Sequence, residues 1–291
     1  MKFNVSVGII AYNEEGIIKR NIESIIKQKT KFANIEEIII ISSGSTDKTN
    51  QIVCAIAKKE KRIKFVCEPK REGKSKAINT LLKKAKNEII ILSSADIVAE
   101  SNCIEKLCSH FKNKDIGIVA SRVKPNESQN KNLQRMTDFL WEIHHKVSLE
   151  KPKFGELIAF RKIDSIPRTT VDEEEIASEL EEKGFKPCYE PRAVIHNKAP
   201  ESYRELIRQR RRIYYAHHEL LKRKNYRAAT FSTRMIIRKT VMHLIRKPKD
   251  IIPCMKLIMI ELLSRIFGWI DYKSKKDHHI WKISNSTKKF L

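Results

Sequence analysis

Four short polar clusters hold most of the residues that could do chemistry in this chain. They are Ala11-Tyr12-Asn13-Glu14-Glu15, Ser42-Ser43-Gly44-Ser45-Thr46-Asp47, Glu72-Gly73-Lys74-Ser75-Lys76-Ala77-Ile78-Asn79 and Ser93-Ser94-Ala95-Asp96. Each has an ordinary reading by itself. Ser-Gly-Ser-Thr-Asp is a common turn and helix cap. Gly73-Lys74-Ser75 imitates the end of a phosphate loop, but the earlier Gly is missing and no strand feeds it directly. Farther on, Asp172-Glu173-Glu174-Glu175 is an acidic run that would suit the first turn of a helix. Arg210 and Arg212 can clamp phosphate, because guanidinium binds it bidentately, or can line a solvated basic face. Trp141, His144 and His145 can line an acceptor site or fill a core.

The elements that must position these clusters follow from apolar patterning. Residues 5–10, 38–41, 62–67 and 88–92 are apolar-rich runs of strand length. Between them, residues 14–28, the segment carrying Ile52, Val53 and Ile56, and residues 75–85 have helical spacing. Strand and helix thus alternate, and continuous apolar runs imply parallel strands covered on both faces. In such a sheet, ligands bind beyond the carboxyl ends of the strands. The four clusters fall there in order, which makes a site of them. Residues 102–111 are expected as a helix, 116–120 as a fifth strand, 124–133 as a mobile loop, and 172–183 as an acidic helix stopped by Gly184. After Pro200 the pattern is helical and basic.

In this order the clusters resemble the family 2 glycosyltransferases with the GT-A fold. Residues 7–15, Val-Gly-Ile-Ile-Ala-Tyr-Asn-Glu-Glu, are similar to that family's opening strand and nucleotide-contacting turn. Residues 41–49 look like its Asp-Asp-Gly-Ser-Thr-Asp segment, and Gly73-Lys74 through Ala77 and Asn79 like its Gly-Lys-x-x-Ala-x-Asn segment. Ser94-Ala95-Asp96 matches the Asp-x-Asp metal motif with its first aspartate replaced. Residues 155–161 resemble the acceptor-side segment, Asp172-Glu173 the Glu-Asp pair that supplies the base, and Gln209-Arg210-Arg211-Arg212-Ile213-Tyr214 the Gln-x-x-Arg-Trp motif. The resemblance spans residues 5 to about 215. Three departures fall at working positions. Ser42 and Ser43 replace acids that help hold the nucleobase, Ser94 replaces a metal carboxylate, and Ile213 replaces Trp.

The resemblance implies an α/β GT-A domain, mostly parallel with helices on both faces, over residues 1–220, and a basic helical extension over 221–291. It implies sugar transfer from a nucleotide-sugar donor to an acceptor hydroxyl or phosphate, inverting and metal-dependent. Ala11, Tyr12, Asn13, Glu14, Ser43, Gly73, Lys74, Asn79, Ser94, Ala95, Gln209, Arg210 and Arg212 are the expected donor contacts. Asp96 is the expected ligand of Mg²⁺ or Mn²⁺; one carboxylate with phosphates and waters can suffice. His196, after a short strand at 193–195, is expected to complete the shell, though it also reads as a surface histidine. Glu173 takes the base position beside Asp172.

Bulk properties add a partner. The 291 residues carry a formal charge of +24, and residues 201–291 hold 23 Lys/Arg against 7 Asp/Glu, a net of +16. Such a basic end suggests an anionic partner. Along residues 251–270, Ile252, Met255, Met259, Leu262, Leu263, Ile266, Phe267 and Ile270 share one arc of a helical wheel, with Asp250, Glu261, Ser264 and Arg265 opposite. Lys256 interrupts the arc. No apolar run reaches the ~18 residues of a membrane span. The helix is therefore expected at a membrane interface, or packed on the domain. With a lipid-linked or glycan acceptor, this places the protein in the cytoplasm at the inner face of the cell membrane. Six scattered cysteines without Cys-x-x-Cys spacing read as reduced, and no signal peptide is expected ahead of the first strand pattern. A nucleotidyltransferase would need a Gly-rich basic loop after strand one, where Ala-Tyr-Asn-Glu-Glu stands. A nucleic-acid binder would show aromatics among its basic residues; these are few, so no nucleic-acid partner is expected.

Overall fold

The structure, a computed structural model, describes residues 2–128 and 130–276. The first half forms as the patterning requires. Strands β1 (Phe3–Ala11), β2 (Ala33–Ser43), β3 (Ile63–Glu68) and β4 (Ile89–Ser94) alternate with helices α1 (Ile18–Ile26), α2 (Thr49–Ala57) and α3 (Lys74–Lys84). The pairs β1–β2, β1–β4 and β2–β3 are all parallel. Ile38, Ile39, Ile40 and Ile41 are completely buried, as a strand covered on both faces must be. One face packs on α1 and α2; the other packs on α3, through Ala77, Ile78, Leu81 and Leu82.

The second half is mixed. It contains β5 (Ile97–Ala99), α4 (Cys103–Ser109), β6 (Ile116–Pro125), α5 (Lys131–Ser148), β7 (Leu157–Arg161), α6 (Asp172–Glu182) and β8 (Lys186–Asn197). The eight strands lie in the order β3-β2-β1-β4-β7-β6-β8-β5. Strand β7 runs antiparallel between β4 and β6, so the expected fifth strand does not join the parallel run directly. Residues 124 and 125, expected in a loop, extend β6, because Lys124 and Pro125 pair with His196 and Asn197 of β8. The short strand expected at 193–195 is the end of a β8 of 12 residues. The α/β class, with helices on both faces of the sheet, is as expected.

Three helices close the described chain: α7 (Tyr203–Lys224), α8 (Thr233–Arg246) and α9 (Ile251–Lys273). The expected boundary at 220/221 lies inside α7, which continues without a break until Asn225 ends it in a left-handed turn (φ 53°). Residues 277–291 of the expected extension lie outside the described residues.

Helix α9 turns the side that carries its polar residues toward the protein, together with Cys254, Leu257 and Ile260. Ser264 and Asp271 are buried, and Ser264 donates to the Ile207 carbonyl at 3.3 Å. Glu261 pairs with Arg210, and Asp271 with Arg211. Gly268 permits the contact, since a Cβ there would lie 2.8 Å from the Arg211 carbonyl oxygen. The apolar arc points outward, with Ile252 and Met259 each 65% exposed. Ile237, Val241, Met242 and Ile245 of α8 are exposed as well. No helix among the described residues is long and apolar enough to cross a membrane.

Candidate active site

The parallel register gathers the clusters. Ala11 pairs with Ser42, Ile10 with Ser94, and Ser43 with Glu68, so four strand ends lie side by side. The first two clusters lock one another. Asn13, at φ 53°, accepts from the Thr46 amide at 2.7 Å and donates its own backbone amide to Ser45 Oγ at 3.1 Å. The Glu14 amide donates to Thr49 Oγ1 at 2.7 Å. Asn13 and Glu14 therefore shape the turn that presents Tyr12. The third cluster grips the chain ahead of α6. The Asn79 amide group both donates to and accepts from the Ile166 backbone, at 2.9 and 2.8 Å. Ser75 does the same with Thr169, at 2.9 and 3.1 Å. Asn79, expected as a donor contact, thus has its amide committed to positioning α6. Below the fourth cluster, Asn21 of α1 donates to the carbonyls of Ser94 and Ile97, fixing the turn that carries Ala95 and Asp96.

With α6 so placed, its acidic first turn meets the start of α3. Lys74 forms an ion pair with Glu173, and both side chains are mostly buried. Burial alone would discharge Lys74, but Glu173, Asp172 and Glu156 hold its pKa above the ordinary lysine value. Glu173 is buried too, yet Lys74 keeps its pKa below that of a free carboxylate. Asp172 behaves oppositely: burial lifts it to about 6, against the pull of Lys74. Glu156 is lifted to about 7 by burial and by the charge of Asp96. Arg212 of α7 is desolvated, which lowers its pKa, and it faces Asp172, Glu173 and Glu156. These residues form one buried cluster of alternating charge at the strand ends.

Glu156 is expected from the sequence only as part of the acceptor-side segment, not beside Asp96. It reaches Asp96 because β7 pairs with β4: Leu157 lies opposite Ser93, and the Ser94 amide donates to the Glu156 carbonyl at 2.8 Å. Lys153 and Glu174 are further additions. Burial lowers the Lys153 pKa, and Glu174 and Glu156 face it. Burial raises Glu174 to about 7, while it accepts the Tyr226 hydroxyl at 2.9 Å. No spacing along the chain signals these contacts, which arise between elements distant in sequence.

Two expected residues have other partners, although the charge of Arg210 still reaches Lys153. Arg210 is occupied by Glu261 of α9. His196 sits opposite Val98 in the β5–β8 pairing, with its Nε2 3.3 Å from Glu100. It lines a cavity with Arg20, Ser24 and Lys27 rather than the charged cluster. Gln209 is half-buried on α7. Among the described residues no three His, Cys, Asp or Glu side chains converge as a metal shell. Beside Gly155, a small cavity is lined by Trp141, His144, His145, Lys153 and Tyr189. The Trp141 and His144 rings meet edge to face at 5.3 Å, and His145 Nδ1 is 2.8 Å from the Tyr189 hydroxyl.

This sheet order, with its charged cluster beyond the strand ends, defines a domain of GT-A architecture. The family described as glycosyl transferase family 2 matches residues 6–165. The chain belongs to that family. It is similar to the glycosyltransferase GlyG of Streptococcus pneumoniae, 30% identical over 115 residues that cover 40% of this chain and 37% of GlyG. It is also similar to the poly-β-1,6-N-acetyl-D-glucosamine synthase of Staphylococcus epidermidis, 24% identical over 75% of this chain and 56% of that one. The matched stretches thus span well under two thirds of these relatives. Among solved structures, the mannosyltransferase PcManGT from Pyrobaculum calidifontis, in complex with GDP-Man and Mn²⁺, superposes with a TM-score of 0.71 at 18% identity. That match covers 95% of this chain and 89% of PcManGT, and shows a shared fold.

Proposed function

We propose that this protein transfers a sugar from a nucleotide-sugar donor to an acceptor at the membrane surface, with inversion at the anomeric carbon. The observation that carries the reading is the ion pair of Lys74 with Glu173, flanked by Asp172, Glu156 and Arg212 at the strand ends. The diphosphate of a donor would meet Lys74 and Arg212. Once Lys74 turns to phosphate, Glu173 loses the charge that keeps it a weak base. It can then accept the proton of the acceptor hydroxyl. A general base of this kind contributes ~10² to 10⁴-fold. Donor binding and base activation are thereby linked through one lysine.

A divalent cation fits the residues present. Asp96 and Glu156 are close enough for one charge to raise the other's pKa, and their oxygens suit Mg²⁺ or Mn²⁺. Glu156 would stand in for the aspartate replaced by Ser94, with the remaining ligands from phosphate and water. Bound there, the ion would neutralise charge on the leaving diphosphate. PcManGT was solved with Mn²⁺ and GDP-Man, which supports this reading. A panel of sugar nucleotides, with and without Mg²⁺ or Mn²⁺, tests it. Metal-dependent release of one nucleoside diphosphate is expected, and no release from any donor would refute it.

The occupant of the outward face of α8 and α9 is an anionic lipid bilayer. The arc from Ile252 to Ile270 is exposed while the helix is held by its other side, through Cys254, Leu257 and Ile260 and the ion pairs of Glu261 and Asp271, and Lys249 and Lys256 are exposed as well. Each basic residue near anionic lipid adds about 1 kcal/mol. This placement supports a lipid-linked acceptor and residence at the inner face of the cell membrane as parts of the proposal. Co-sedimentation should favour anionic over neutral liposomes and weaken with salt. Equal recovery in the supernatant with both would refute it.

A further inference from the structure

At the ends of β2 and β3, beside the donor turns, two buried polar atoms have no hydrogen-bond partner among the described residues. They are Ser43 Oγ and Glu68 Oε2. Ser43 is 4% exposed and Glu68 8%. The two residues are register partners at the ends of β2 and β3. They also share a face of the sheet. Ser43 continues the row of Ile39 and Ile41, which packs on α3, and Thr80 of α3 donates to the other Glu68 oxygen at 3.1 Å. A buried carboxylate oxygen without a donor is costly, more so than a neutral acceptor. An outside group with an N–H therefore belongs there.

The surroundings say what kind of group. Tyr12 follows Ala11, whose register partner is Ser42. The Arg71 guanidinium lies 4.1 Å above the Tyr12 ring. The backbone of Lys70 and Arg71 presses on the end of β2, so that a Cβ at Gly44 would lie 2.6 Å from the Arg71 amide. The stacked Tyr12 and Arg71 thus follow the end of β1, which is register neighbour to the end of β2 that carries Ser43.

We propose that Glu68 and Ser43 read the nucleobase of the donor, and that they select a lactam edge, a ring N–H beside a carbonyl, as guanine and uracil present. This rests on the donor being a sugar nucleotide. Glu68 accepts the ring N–H, and the Ser43 hydroxyl donates to the neighbouring carbonyl. A lactam N–H is a more acidic donor than the exocyclic amine of adenine or cytosine, so a carboxylate favours it. Glu68 thereby supplies, from the neighbouring strand, the acid absent from Ser42 and Ser43.

The test is calorimetric binding of GDP, UDP, ADP and CDP with Mg²⁺, to the wild type, Glu68→Gln and Ser43→Ala. At least one of GDP and UDP should bind ~10-fold or more tightly than both ADP and CDP, the range of a charge-assisted hydrogen bond. The comparison of GDP with UDP identifies the base. Glu68→Gln should cut the preference at least fivefold while leaving the thermal midpoint near wild type. Tight binding of ADP or CDP, or an unchanged preference in Glu68→Gln, would overturn the role of Glu68 and leave the donor site intact. Binding of none of the four would remove the donor site itself.

Discussion

Replacing Lys74 by Met removes the cation that sits among three carboxylates. The pair with Glu173 is mostly buried, with 19% and 14% of the two side chains exposed. Breaking such a pair from one side costs about 3–5 kcal/mol, and partial exposure places this one near the lower figure. The cost must depend on pH. In the wild type Glu173 is held ionised, below the ordinary carboxylate pKa, while Asp172 and Glu156 titrate at about 6 and 7. Without Lys74 the folded cluster retains one more proton over pH 6–8 than the wild type does, and the unfolded chains are alike. The folded mutant binding the extra proton means that it loses stability relative to the wild type as pH rises, by about 1.4 kcal/mol per pH unit. The gap from wild type should be about 3 kcal/mol at pH 8 and close most of the way by pH 6. At about 2–4 °C per kcal/mol, the midpoint at pH 8 should fall by roughly 6–12 °C. Thermal melts at three pH values read this directly. Lys76→Met, which breaks only the exposed pair with Glu72, is the control and should leave the midpoint unchanged. A gap equal at pH 6 and pH 8, or an equal loss in the control, would refute the electrostatic account of the cluster.

Glu173→Gln should keep donor affinity and slow transfer ~10²-fold or more; if Asp172→Asn alone does so, the base is its neighbour, and if neither does, the acidic turn only starts a helix. Asp96→Ala should abolish metal-dependent donor binding and nucleotide release, and retention of both would remove Asp96 from the metal site. Gly268→Val should lift α9 off the Arg211 carbonyl, at a cost of about 1–3 kcal/mol, whereas Met259→Ser on the exposed face should leave the melting curve unchanged. Matching midpoints for these two variants would show that α9 is not docked through its polar side.

The parallel half of the fold was legible because its strands are uninterrupted apolar runs separated by helical spacing, and the clusters at their ends follow from that alone. Strand β7 was not, since Leu157–Arg161 reads as a short apolar stretch whose direction depends on where the chain returns. Residues 155–161 read as the acceptor-side segment, but without the pairing of β7 with β4 the approach of Glu156 to Asp96 is not legible. The reading of Asp172 and Glu173 depended on resemblance rather than pattern, because an acidic first turn has the same sequence whether or not a lysine meets it. Asn79 shows the converse. A residue at a motif position can serve by holding a loop, and its type does not reveal which. For α9 the wheel picked out the exposed apolar arc, but hydrophobicity alone could not say which side faces inward, because the ion-pairing Glu261 and Asp271 and the small Ser264 and Gly268 dock beside the apolar Cys254, Leu257 and Ile260.

The outward apolar side of α9 bears on how quickly the protein could reach a surface. Many amphipathic segments hide their apolar side in the folded chain and must be released before they can insert, which makes release the slow step. Here the latch is made by Arg210 with Glu261 and Arg211 with Asp271, on the side away from any bilayer. Nothing in that latch needs to open for the arc to touch lipid. Arrival would be governed by encounter and by the long-range pull of the basic helices, and departure by lipid composition and ionic strength. The catalytic domain would meet the surface in one fixed orientation, because α7, which carries Arg212 into the cluster, is the helix on which α9 is fastened.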